Sequence, residues 1–156
     1  GDDVGSSFLL GLDALAATPE PVRDFSLSSP LDGVSDGAWT KFCEVMCLGR
    51  TGDVSAAIQQ HVESRGYYVT REYTGHGVGR QMHEGPQVPN YGKPGTGVPL
   101  RQGMTIALEP MVLVGTPATR VLADQWTVVS SDGSLTAHFE HSVAVTAGEP
   151  LILTVP

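Results

Sequence analysis

No apolar run in this chain approaches the roughly 20 residues that a membrane-spanning helix needs, and no leader peptide is visible at its start. Cysteine is scarce: Cys43 and Cys47 are the two among 156 residues. They stand four apart in a helical-looking segment, neighbours on one face but poorly spaced for a disulfide. A cysteine-only zinc site would need more ligands. Reduced thiols in a cytoplasmic protein are the expectation. Basic charge is short as well. Nine Lys and Arg against 17 Asp and Glu leave a formal net charge of -8, so no nucleic-acid partner is expected. Charged residues reach only 17% against 40% apolar ones, a balance that favours a packed core over disorder.

Glycine and proline are plentiful, at 19 and 11, which points to a turn-rich chain with many strands. The length suits one domain. Residues 4–11 read as a short strand, and residues 17–35 as a Ser/Pro/Asp-rich loop, with room for a short helix around 21–25. Residues 37–48 put Trp39, Phe42, Val45 and Met46 on one helical face, with Asp36 as N-cap. A second helix is predicted over 54–65, capped by Asp53, lined by Val54, Ala57, Ile58 and Val62, and ended by Gly66. The remaining signals are β. Residues 67–73 read as a strand, 89–99 as a loop, and 105–114 as a strand with a bulge or edge at Pro110. Residues 126–130 and 135–145 read as a hairpin turning at Asp132-Gly133. Helices followed by antiparallel strands predict an α+β fold.

The chemistry concentrates in Thr74-Gly75-His76-Gly77-Val78-Gly79-Arg80-Gln81-Met82-His83-Glu84-Gly85-Pro86, where two histidines stand among four glycines. Glycine at this density opposes a regular helix, at roughly 1 kcal/mol each. Two carboxylates then occur in apolar, strand-like settings, Leu108-Glu109-Pro110 and Phe139-Glu140-His141. An unpaired charge is costly there. If Phe139, His141 and Val143 share one side of a strand, Glu140 points to the other. Imidazoles and carboxylates together predict a metal site on a β scaffold.

The motifs resemble a family. Gly75-His76-Gly77-Val78-Gly79-Arg80, His83-Glu84-Gly85-Pro86-Gln87-Val88, Gly103-Met104, Glu109-Pro110-Met111, Trp126-Thr127-Val128 and Glu140-His141 follow, in order, the pattern of type I methionine aminopeptidases, from about Asp53 onward. The resemblance implies the pita-bread fold: two pseudo-symmetric halves, each a curved antiparallel sheet with helices on its outer face, and metals between them. Residues 1–11 would be a strand of the N-terminal half, 12–36 the connection, and 37–156 the C-terminal half. The N-terminal half would then be largely absent from this chain.

Its implications for the site are specific. Asp3, His76, Glu109 and Glu140 match metal ligands, with Asp2 the rival to Asp3 because a one-residue shift reverses a strand face. A first Asp of the family has no counterpart here. Two divalent ions (Co, Mn, Fe or Zn) are implied. Glu109 would move a proton, and His83 would hold the scissile amide or the oxyanion. His76, His83, Met82 and Trp126 match the substrate-contacting set, the last two lining a methionine pocket; Met82 stands where many relatives carry an aromatic. His138 stands where a polar amide is common, and its role is open. Removal of methionine from the N-termini of peptides and nascent proteins is the implied activity. A prolidase-like or aminopeptidase P-like hydrolase, or a catalytically incomplete binding subunit, are the alternatives. The start at Gly1, and a first strand that would lack its neighbour, lead to the expectation of a fragment that needs a companion N-terminal chain.

Overall fold

The computed structural model describes residues 45, 46 and 48–154. The strand, loop and short helix expected before residue 36 lie outside these residues, as do Asp2, Asp3, Asp36, Trp39, Phe42, Cys43 and Cys47. Of the predicted helix over 37–48, Val45, Met46 and Leu48 are helical, and Met46 is fully buried. The described residues are α+β, with one long helix against antiparallel sheets.

Helix α1 spans Thr51–Glu63. It starts three residues before the predicted position, and Asp53 lies within its first turn instead of capping it. The reason is tertiary. Thr51 N–H donates to Val98 O at 2.9 Å and Gly52 N–H to Thr96 O at 3.1 Å, so the 90–99 loop supplies partners for the free N–H groups of the first turn. Asp53 accepts from Arg50 N–H through Oδ2 and from Gly95 N–H through Oδ1, both at 2.7 Å. Gly66 follows the helix with φ of 81°, a left-handed turn that glycine makes without strain. Ala57, expected inside, is exposed; Thr51 and Ser55 are buried beside Val54 and Val62. Ser55 Oγ donates to Thr51 O at 2.9 Å, which makes its burial affordable.

Ten short strands follow: β1 (Tyr68–Val69), β2 (Thr74–Gly77), β3 (Glu84–Pro89), β4 (Thr105–Leu108), β5 (Met111–Leu113), β6 (Thr119–Val121), β7 (Val128–Ser130), β8 (Thr136–His138), β9 (His141–Ala144) and β10 (Leu151–Ile152). They form a five-stranded sheet in the order β10-β9-β4-β2-β3, a three-stranded sheet β1-β5-β8 and the ribbon β6-β7. Met46, Val54, Val88, Leu100, Ile106, Val143 and Val145 make the main core under the five-stranded sheet, while Val62, Val69 and Val112 pack under the three-stranded one. Helix α1 supplies Val54 to the first and Val62 to the second, and Ile58 packs against both. One helix therefore braces two sheets.

Three strand predictions change. The 67–73 strand shortens to Tyr68–Val69, because the chain bends at Arg71 and Glu72, where Thr70 Oγ1 donates to Glu72 Oε2 at 2.9 Å. The 105–114 strand divides at Glu109-Pro110 into β4 and β5, which join different sheets. The predicted hairpin of 126–130 with 135–145 does not form. The turn at Asp132-Gly133 exists, with Gly133 at φ 79°. However, β7 pairs back onto β6 and β8 pairs with β5. Turn chemistry specifies a reversal but not which strands pair across it.

The division of 105–114 has a counterpart. Residues 135–145 also split, into β8 and β9, at Phe139-Glu140, so Glu140 is not in a strand and the alternation argument for its direction lapses. The register aligns the two breaks: Leu108 pairs with His141 before one, and Met111 with His138 after it. Phe139 N–H donates to Pro110 O at 3.1 Å across the gap. Two neighbouring strands leave one sheet and enter the other at the same level, and each carries a glutamate at the crossing.

Candidate metal centre

Side chains that pair directly in an antiparallel sheet share a face. Ile106 pairs with Val143 on the core face. The next pairs, His76 with Ala107 and Ala107 with Ser142, therefore lie on the opposite face, away from α1. Small residues at 107 and 142 leave space beside the His76 ring. Gly75 is equally constrained: a Cβ there would strike the Ala107 carbonyl oxygen and meet Val88 O at 3.1 Å. The strand that carries His76 thus lies close to both neighbours, which explains the glycine density read in the sequence.

His76 and Glu109 are both largely buried, with side-chain exposures of 11% and 14%, and His76 Nε2 stands 3.2 Å from Glu109 Oε1. His138 Nε2 faces the other oxygen, Oε2, at 3.6 Å. The rings of His76 and His83 lie 4.4 Å apart between centroids, tilted by 56°. Glu109, His138 and Glu140 each offer a ligand atom within 4.8 Å of the other two. Residues separated by more than sixty positions thus gather around the Glu109 carboxylate. Asp3 lies outside the described residues.

Supporting contacts fix these groups. His76 Nδ1 is 2.9 Å from Gly77 O and donates to it, which orients the ring with Nε2 toward Glu109. Asn90, fully buried, donates from Nδ2 to Glu109 O at 3.2 Å, which ties the break to the end of β3. The β2–β3 loop carrying Met82 and His83 is braced by Glu84, whose Oε1 accepts from Gln81 N–H at 2.8 Å. His141 turns elsewhere, its Nδ1 2.7 Å from Thr154 Oγ1, and burial lowers its pKa. Met82 and Trp126 are exposed at 74% and 87%, so neither belongs to the core. Trp126 stands at the tip of the β6–β7 ribbon, where its N–H donates to Asp124 Oδ1 at 3.0 Å.

Burial holds the Glu109 carboxyl above the ordinary glutamate range; the charge of Glu140 raises it further, and His76, His138 and His83 draw it back. His76 Nε2 and a Glu109 oxygen stand 3.2 Å apart, a spacing at which both can bind one cation. A cation among these groups offsets the two carboxylates together. Bonds of about 2.0–2.2 Å place donors around one ion roughly 3–4 Å apart, the scale of this cluster. Carboxylate oxygen with imidazole nitrogen suits divalent Mn, Fe, Co and Zn. The residues fit a metal. His138 is the member that sequence reasoning left open; its place two residues before Glu140 was the available signal. Asn90 gave no signal, because its contribution is a single hydrogen bond to the backbone.

The largely buried Glu109 carboxylate facing imidazoles at the crossing of two sheets, with exposed Glu140 beside it, defines a candidate centre for metal-dependent hydrolysis. The chain belongs to metallopeptidase family M24, whose model matches residues 40–147. It is similar to the methionine aminopeptidase of Clostridium acetobutylicum, with 54% identity over 123 residues, 78% of this chain and 49% of that protein. Methionine aminopeptidase B of Synechocystis is 40% identical over 153 residues, 98% of this chain and 52% of that protein. Among solved structures, the methionine aminopeptidase of Thermotoga maritima superposes with a TM-score of 0.71 at 53% identity, over 76% of this chain and 48% of that one. The type I methionine aminopeptidase resemblance read from the motifs is borne out, and the fold is the pita-bread fold. The chain spans about half the length of the curated relatives it matches.

Proposed function

We propose that these residues form one side of a dinuclear aminopeptidase centre that removes methionine from the N-termini of peptides and nascent proteins. The convergence of His76, His138 and Glu140 on Glu109, with the His83 ring tilted beside His76, carries this reading. Relatives at 40–54% identity are methionine aminopeptidases, which favours methionine release over prolidase-like activity. His76, Glu109 and Glu140 are the proposed ligands here, with Asp3 joining them. The remaining carboxylate comes from polypeptide equivalent to the first half of the relatives, as a preceding segment or a companion chain. Residues 1–11 then complete a strand of that half, and 12–36 connect it to the rest.

A pair of divalent ions, when bound, supplies a water acidic enough to attack at neutral pH. The chain's own residues do the rest. Glu109, around whose carboxylate His76, His138 and Glu140 gather, takes the water's proton and returns it to the leaving amine. His83, on the exposed loop beside His76, donates to the oxyanion as the peptide carbonyl becomes tetrahedral. Met82 and Trp126, open to solvent, receive the methionine side chain through thioether and aromatic contact. Among the described residues no helix is long and apolar enough to cross a membrane. With nascent chains as the proposed substrates, the cytoplasm is the proposed location.

The test is methionine release from a Met-Ala-Ser peptide with added Co or Mn. It is run with the full chain, alone and supplemented with the first half of the Clostridium relative. Release should require a free N-terminus and be lost on acetylation. No release in either form, or a preference for Xaa-Pro dipeptides, would overturn the assignment.

A further inference from the structure

His138 has no role in the ligand set above, yet its position is that of a participant. It ends β8, pairs with Met111 just past the Glu109-Pro110 break, and so stands at the sheet crossing where both glutamates sit. The two oxygens of Glu109 are each faced by an imidazole Nε2: Oε1 by His76 at 3.2 Å and Oε2 by His138 at 3.6 Å. Among the described residues, Glu109, His138 and Glu140 have ligand atoms mutually within 4.8 Å. His76 is nearly buried, whereas His138 is 47% exposed, so its ring has room to adjust.

We propose that His138 is a further metal ligand, so that the ion on the Glu109–Glu140 side is held by two carboxylates and an imidazole. This rests on the metal-centre reading above and adds a second nitrogen donor, beside that of His76, to the cluster around Glu109. The chemical consequence is selectivity. Oxygen-only surroundings suit Mn, whereas an imidazole shifts preference toward Co and Zn. The histidine therefore biases which ion the centre retains.

The experiment uses the full chain supplemented with the first half of the Clostridium relative, so that the ligand set is complete, and does not depend on turnover. Zn and Mn are titrated separately into the wild type, His138→Gln and His138→Ala, with metal bound at saturation measured by elemental analysis. In parallel, the ring nitrogens of 15N-histidine-labelled protein are followed by NMR as Zn is added. The expected result is a loss of about tenfold or more in Zn affinity in both variants, the scale on which even outer-sphere partners act, with a much smaller change for Mn. The His138 Nε2 resonance should shift with Zn in the wild type. Unchanged Zn affinity in His138→Gln, or a silent His138 resonance while His76 responds, would overturn the assignment of His138 and leave the metal centre standing. A wild type that binds no Zn, or binds it independently of Glu109, would instead overturn the metal-centre reading. Thermal melts of both variants check that the half-exposed position leaves folding unaffected.

Discussion

Replacing Gly75 with alanine adds a single methyl group, and the structure assigns that group a cost. The new Cβ would collide with the carbonyl oxygen of Ala107, a backbone atom that cannot swing aside, since β4 is held between β2 and β9. It would also press on Val88 O at 3.1 Å. Overpacking of this kind costs about 1–3 kcal/mol. Restricting the unfolded chain by a Gly→Ala change returns about 0.4–1 kcal/mol. A collision with backbone on one side and close contact on the other favours the upper part of the cost, leaving a net loss of about 1–2 kcal/mol. At about 2–4 °C per kcal/mol for a chain of this size, the midpoint should fall by several degrees. The displacement acts on the centre too, because His76 follows Gly75 and Glu109 lies two residues past Ala107. Widening their 3.2 Å approach should weaken metal binding by about 10- to 100-fold. Thermal unfolding followed by circular dichroism, beside calorimetric Zn titration, measures both effects. Gly148→Ala is the control, because a Cβ there meets nothing within 4 Å. A Gly75→Ala protein that melts with the wild type and binds Zn equally well would refute the reasoning.

Glu109→Gln should raise the stability of metal-free protein at neutral pH while abolishing the stabilisation that added Zn confers. Burial, then Glu140, raise the Glu109 carboxyl, so its contribution to stability is present below the ordinary glutamate range and lost as pH rises through the higher folded value. Denaturant midpoints across the acid range should show that loss in the wild type and not in the variant. His83→Ala should lower methionine release far more than metal content, whereas His76→Ala should lower both; elemental analysis beside steady-state kinetics separates them, and equal metal loss in the two would show His83 to be a ligand. Ile106→Ala, at a fully buried core position on the strand leading to Glu109, should cost about 2–5 kcal/mol in urea unfolding. A cost below about 1 kcal/mol would mean that the core repacks around the gap.

Glycine spacing around His76, the Glu109-Pro110 step and the Glu140-His141 pair were enough, by residue type and order alone, to indicate the family, the α+β class and the carboxylate–imidazole chemistry. These features are local. A glycine beside a crowded strand, or a glutamate in an apolar run, carries its meaning in its immediate neighbours. Helix α1 was also legible, because periodicity and the terminating Gly66 are properties of consecutive residues. Its starting point was not, because the partners for its first turn come from Thr96 and Val98, over forty residues away.

Strand pairing escaped for the same reason. Asp132-Gly133 announces a turn, but the preference of β7 for β6 and of β8 for β5 depends on faces that only the packed sheets create. The direction of Glu140 could not be read from alternation, because the chain leaves the strand there to cross between sheets. His138 could be noted in the sequence, yet its 3.6 Å approach to Glu109 arises from the coincidence of two breaks in neighbouring strands. Residue chemistry belongs to the sequence, whereas the distances that combine it at one point belong to the register of strands remote along the chain.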